Sequence, residues 1–174
     1  GATANIGISE NNLLGKSQKI RLSLLASERE NRADFSFTEP FFLDRNSSIT
    51  NNIFTTVQEY PESNYNNERE GGSLSVSYNI GEYGSQSLGY RLEKRNIVVY
   101  DGAASSIKSI EGESILSVAN IGNSIDKTDN RFDPKEGWTV SNNLSLAGIG
   151  GDQQYFRGTQ SFATYNEIFN ENIV

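Results

Sequence analysis

The chain has 174 residues with a net charge of −7, and it contains no His, Cys or Met. Imidazole bases, thiol nucleophiles, disulfides and thiolate metal sites are therefore excluded, and the acidic balance argues against a nucleic-acid groove. No window approaches the roughly 18 consecutive apolar residues of a transmembrane helix, but a transmembrane strand needs only about 9 to 11 residues of weak alternation.

Read in chain order, the sequence keeps a period near two almost throughout, which predicts strands. Ile20, Leu22, Leu24 and Ala26 fall on one face, opposite Arg21 and Ser23. Phe35 and Phe37 alternate with Asp34, Ser36 and Thr38. Leu74, Val76, Tyr78 and Ile80 alternate with serines and an asparagine, and Leu88, Tyr90 and Leu92 with Gly89, Arg91 and Glu93. Val140, Leu144 and Leu146 alternate with Ser141, Asn143 and Ser145. Near the end, Tyr155, Arg157, Thr159, Ser161 and Ala163 oppose Phe156 and Phe162.

Turn signals punctuate these runs at residues 10–16, 29–32, 43–46, 81–84, 150–152 and 170–172. Longer links are expected over 61–67 and 101–112, which predicts short links on one side and long links on the other. No stretch has both helical periodicity and caps. The expectation is an all-β fold: an antiparallel up-and-down meander of about 8–10 strands, with Ile173 and Val174 possible members of a tenth. It would form part of a transmembrane-type barrel or a small closed barrel, as one domain over residues 1–174.

Chemistry has few places to sit. Glu28/Glu30, Glu68/Glu70 and Asp129/Asp133 pair carboxylates, but in turns or loops without signs of burial. The oxygen-rich run Asp126–Asn130 with Asp133 lacks the Gly and terminal Glu of a calcium loop. No catalytic residue, metal or cofactor is assigned. Arg91, Lys94 and Arg95, interleaved with Glu93, are expected on a lumen or solvated face. In "TDNRFDPKEGW", Pro134 fixes φ for a tight turn and Gly137 accepts a φ that other residues resist.

Three segments carry a resemblance. "SENNLLGK" (Ser9–Lys16), "DFSFTEPFFLDRN" (Asp34–Asn46) and "TDNRFDPKEGW" (Thr128–Trp138) resemble, in order and spacing, the first half of the barrel of the Omp85 family, in its alphaproteobacterial style. The resemblance implies a bacterial outer-membrane barrel of about 16 strands that folds and inserts other barrel proteins, and no enzyme. The partners it implies are outer-membrane lipid, unfolded outer-membrane proteins and assembly-machine subunits. It also implies a first strand, here about Ala4 to Ser9, that opens as a template. Ile6, Gly7 and Ile8 are the expected strand-pairing residues. Phe132, Pro134, Gly137 and Trp138 are expected to anchor a periplasmic turn at the membrane interface. The family's later strands, its Arg-Gly-Phe loop and its periplasmic domains are absent from the 174 residues.

Registering the strand before the turn from Asn130-Arg131 puts Asn120, Gly122, Ser124 and Asp126 toward lipid, with Ile121 and Ile125 inward. Phe156, Gly158, Gln160, Phe162, Thr164 and Asn166 form the outward set of the last long strand, and Asn51 and Asn142 intrude on apolar faces. That polarity raises an alternative: a redesigned, water-compatible monomeric barrel derived from the family and lacking insertase activity. A weaker one is a small-molecule carrier with Ile121 and Ile125 lining its cavity.

Overall fold

The computed structural model describes residues 1–44 and 46–166. Nine strands follow one another in space in the order of the chain: β1 (Thr3–Leu13), β2 (Gln18–Ser27), β3 (Glu30–Glu39), β4 (Ser47–Tyr60), β5 (Tyr65–Ile80), β6 (Gly84–Val99), β7 (Gly112–Asp126), β8 (Gly137–Ala147) and β9 (Tyr155–Tyr165). Every pairing is antiparallel between consecutive strands, so the sheet is an all-β meander. It does not close among the described residues: β1 and β9 are its edges. The expected tenth strand and the 170–172 turn lie outside the described residues.

The register sorts side chains into two faces, because successive residues of a strand point to opposite sides. One face is apolar. It carries Ile6 and Ile8 on β1, Leu22 and Leu24 on β2, Phe35 and Phe37 on β3, and Leu74 and Val76 on β5. It continues through Leu88 and Leu92, Ile121 and Ile125, Leu144 and Leu146, to Phe156 and Phe162 on β9. The other face holds Ser, Thr, Asn and charged residues, as at the hydroxyl pair Thr38–Thr50 (3.0 Å) and at Ser145, which donates to Asn120 Oδ1 (2.6 Å).

Among the described residues only Ile97, Ala103, Val118 and Ala147 are buried apolar side chains. A water-soluble domain of this length would hide its large apolar residues inside. Here they stand exposed on one face of a single layer, the distribution expected where lipid takes the place of a core.

The register overturns one expectation. Asn120, Gly122, Ser124 and Asp126 lie on the polar face, while Ile121 and Ile125 lie on the apolar face between Leu88 and Leu144 and beside Val140. The reason is a slip of one residue: the link between β7 and β8 runs over ten residues, 127–136, so alternation cannot be carried back through it from Asn130. The part of the polarity argument drawn from β7 goes with it, and Ile121 and Ile125 line no enclosed cavity, being 43% and 39% exposed. Phe156, Gly158, Gln160, Phe162 and Thr164 do share the apolar face, as do Asn51 and Asn142; Asn166 follows the end of β9.

The links also differ from expectation. One end of the sheet carries links 14–17, 40–46, 81–83 and 127–136; the other carries 28–29, 61–64, 100–111 and 148–154. Short and long links occur at both ends, so there is no short side. The β2–β3 turn is tighter and earlier than the 29–32 signal, because Ser27 Oγ caps it by accepting from the Glu30 amide (2.9 Å). Asn64 takes a left-handed φ of 56°, which closes the β4–β5 link in four residues instead of running to Asn67. The 100–111 link includes one helical turn, Ser105–Lys108.

Candidate functional site

Three features could carry function: the β1 edge, the β7–β8 link, and a charge cluster on the polar face. At the first, Ile6 pairs with Leu24, Gly7 with Ser23 and Ile8 with Leu22. Ile6 and Ile8 are 60% and 62% exposed on the apolar face, and Gly7 lies on the polar face. Among the described residues β1 is bonded along one side only, so its other side presents free N–H and C=O groups. A bulge between Glu10 and Leu13 ends the regular pairing with β2.

The β7–β8 link uses its carboxylates to hold itself together. Asp129 Oδ1 accepts from the amides of Lys135 (2.9 Å) and Glu136 (3.0 Å). Asn130 Oδ1 accepts from the Phe132 amide (2.9 Å). Asp126 accepts from Thr128 Oγ1 (2.6 Å) and pairs with Arg131 (3.3 Å). The Glu136 and Lys135 amides hold the Asp129 carboxyl below the usual carboxylate range. These oxygens are therefore turned to the loop's own donors, not gathered around an ion.

Gly137 has φ +105°, and a Cβ there would run into the Lys127 carbonyl oxygen. Pro134 is partly buried in the link. Trp138 stands on the apolar face, and Lys127 Nζ lies 5.7 Å from both its ring and that of Tyr83. Phe132 projects from the tip, 97% exposed. The structure thus brings Gly137 and Trp138 to the sheet's end and leaves Phe132 apart from them.

Sequence reasoning missed the third feature. Glu93 on β6 is 1% exposed. Its carboxylate accepts from Arg69 Nε (2.7 Å) and Nη2 (3.1 Å) and from Arg91, with Arg95 at 3.6 Å. Period two in the stretch 91–95 does put Arg91, Glu93 and Arg95 on one face, but the contribution of Arg69 needs the β5–β6 register. Lys94 lies on the opposite face and bonds Glu113, so it does not belong with Arg91 and Arg95.

The wider polar face carries Lys19 and Arg21 on β2, Arg32 on β3, Arg69 on β5, Arg91 and Arg95 on β6, and Arg157 on β9. Against them stand Glu30 and Asp34 on β3, Glu93 on β6 and Asp126 on β7. Cations therefore predominate, although the chain as a whole is acidic.

Residues 12–174 match the model of the Omp85 superfamily domain. The outer membrane protein assembly factor BamA of Nitratidesulfovibrio vulgaris is 29% identical over 164 residues, which covers 92% of this chain and 20% of that protein. BamA of Neorickettsia risticii is 28% identical over 176 residues, covering 100% of this chain and 24% of that one. The crystal structure of BamA from Haemophilus ducreyi lacking POTRA domains 1-3 superimposes with a TM-score of 0.69 at 18% identity. That match covers 92% of this chain and 34% of the other, and shows the same fold. The chain spans about a quarter or less of the curated relatives it matches.

Proposed function

The chain belongs to the Omp85 superfamily, and from that premise we propose that it is a stretch of barrel wall in a bacterial outer-membrane protein assembly factor. It works by strand pairing and without covalent chemistry. Its partners are outer-membrane lipid on the apolar face, unfolded outer-membrane proteins at the strand edge, and the subunits of an assembly machine.

The observation that carries the reading is the β1 edge. Among the described residues Thr3–Leu13 is an extended strand bonded on one side, with Ile6 and Ile8 turned to the apolar face and Gly7 to the polar face. A client strand added there would satisfy its backbone groups against β1 while its side chains sort by the same alternation. Backbone pairing reads no particular sequence, which suits a factor that serves many clients. Every unpaired backbone group in hydrocarbon costs several kcal/mol, on the order of 1–3 even by protein-based measures, so the drive to pair is strong.

Photo-crosslinking tests this. A crosslinking amino acid at Ile6 or Ile8 of the full-length protein, during assembly of a radiolabelled barrel client, should yield adducts with the client's strands. The same group at Ile121, in the middle of the wall, should not. Adducts formed solely with another strand of the same protein would make β1 an ordinary internal wall position and end the proposal.

A further inference from the structure

We infer that the arginine cluster on the polar face of β5 and β6 docks a carboxylate-bearing segment of a client polypeptide. This rests on the client-handling role proposed above, but it concerns a different part of the wall and a different contact. The carboxylate of Glu93 displays the recognition chemistry in miniature: it is buried against guanidiniums, two of its bonds coming from Arg69 at 2.7 and 3.1 Å.

The cluster has donors to spare. Three guanidiniums hold far more N–H groups than one carboxylate has lone pairs. Arg91 Nε is buried without a hydrogen-bond partner among the described residues. Arg95 stands off at 3.6 Å, and it faces Arg69 directly across the β5–β6 register, where like charges repel. A second carboxylate beside Arg95 would relieve that repulsion, and the planar fork of Arg fits a carboxylate in two-point fashion.

Acceptors are to spare as well. Asn52 Oδ1 and Asn67 Oδ1 lie on the same face, buried and unpartnered among the described residues. Asn52 is in the same cross-strand row as Arg91, through Ser73, and Asn67 is two residues from Arg69. An extended acidic polypeptide presents several carboxylates in a row to Arg69, Arg91 and Arg95, each about a third exposed. An inorganic anion presents a single centre, so a polypeptide is the better match.

The test is fluorescence anisotropy of a fluorescein-labelled hexaglutamate peptide with the full-length protein in detergent. Binding should saturate, weaken with added salt, and fall about tenfold in Arg95→Gln. Arg95→Lys, which keeps the charge and loses the fork, should fall between. Lys94→Gln, on the opposite face, should bind as the parent does. A native β-sheet circular-dichroism spectrum is required of each variant. Absence of binding, equal binding by Arg95→Gln and the parent, or complete displacement by an equimolar amount of inorganic phosphate would each overturn the inference. Crosslinking from Ile6 and Ile8 is read separately, so either idea can fail without the other.

Discussion

Gly71 lies directly across from Glu93 in the β5–β6 register, and its missing side chain makes room for a buried carboxylate. A Cβ at Gly71 would collide with the Leu92 carbonyl oxygen and press on Glu93 Cα. Gly71→Val should therefore spread the two strands and weaken the pairs from Arg69 and Arg91 to Glu93. The expected loss is about 1–3 kcal/mol, the usual cost of overpacking. Urea unfolding in detergent, followed by circular dichroism, measures it; a loss no larger than that of Gly158→Val on the apolar face of β9 would argue against the crowding.

Glu93→Gln removes the one carboxylate that reconciles three guanidiniums. Breaking a fully buried ion pair costs about 3–5 kcal/mol. Arg69, Arg91 and Arg95 remain 35%, 39% and 35% exposed, so solvent offsets part of that, and about 2 kcal/mol is expected. The double variant Glu93→Gln/Arg95→Gln should recover part of the loss, which the same unfolding measurement detects.

The two faces make opposite demands on β7. Ile121→Lys places a charge among apolar neighbours and should destabilise the membrane-inserted sheet by about 2–4 kcal/mol near mid-depth. Asn120→Lys, one residue away on the polar face, should cost well under 1 kcal/mol. Folding titrations into lipid vesicles compare them. A larger penalty at Asn120 would reverse the face assignment.

Asp129 should make the β7–β8 link sensitive to acid. Its carboxyl is held below the ordinary range in the folded protein by the amides of Glu136 and Lys135. A depressed folded value means the stabilisation is present above the unfolded carboxylate pKa and disappears as pH falls through the folded one. Emission from Trp138, the chain's single tryptophan, should shift as pH is lowered below the usual carboxylate range. Asp129→Asn should flatten that acid transition. A transition unchanged in Asp129→Asn would assign the effect to other groups.

Proline substitutions separate the two sides of β1. Successive N–H groups of a strand point to opposite sides, so of Ile6→Pro and Gly7→Pro one deletes a donor to β2 and the other a donor on the open side. The first should lower stability. The second should keep the sheet and reduce client crosslinking at Ile8. Equal effects on stability and crosslinking would count against a templating edge.

How legible this was in the sequence varies by residue. Strand existence and the meander followed from period-two alternation, as in Leu74, Val76, Tyr78 and Ile80, which a strand places on one face and a helix scatters. The positive φ of Gly137 was also readable, because a glycine closing a turn signal accepts a backbone conformation that other residues resist. The faces of β7 were misassigned, since alternation from Ile121 and Ile125 was overruled by counting back across a ten-residue link that has no fixed period.

What the sequence determined by itself is whatever depends on near neighbours: the strands, the turn chemistry of Asp129 to Gly137, and the absence of imidazole and thiol chemistry. The tertiary structure decided what depends on register. It set Arg69 beside Glu93 and Ile121 between Leu88 and Leu144, and, among the described residues, left β1 bonded on one side. Those contacts join residues tens of positions apart, and a one-residue slip would undo each of them. A single strand's alternation states that it has two faces; pairing with the next strand decides which side chains meet.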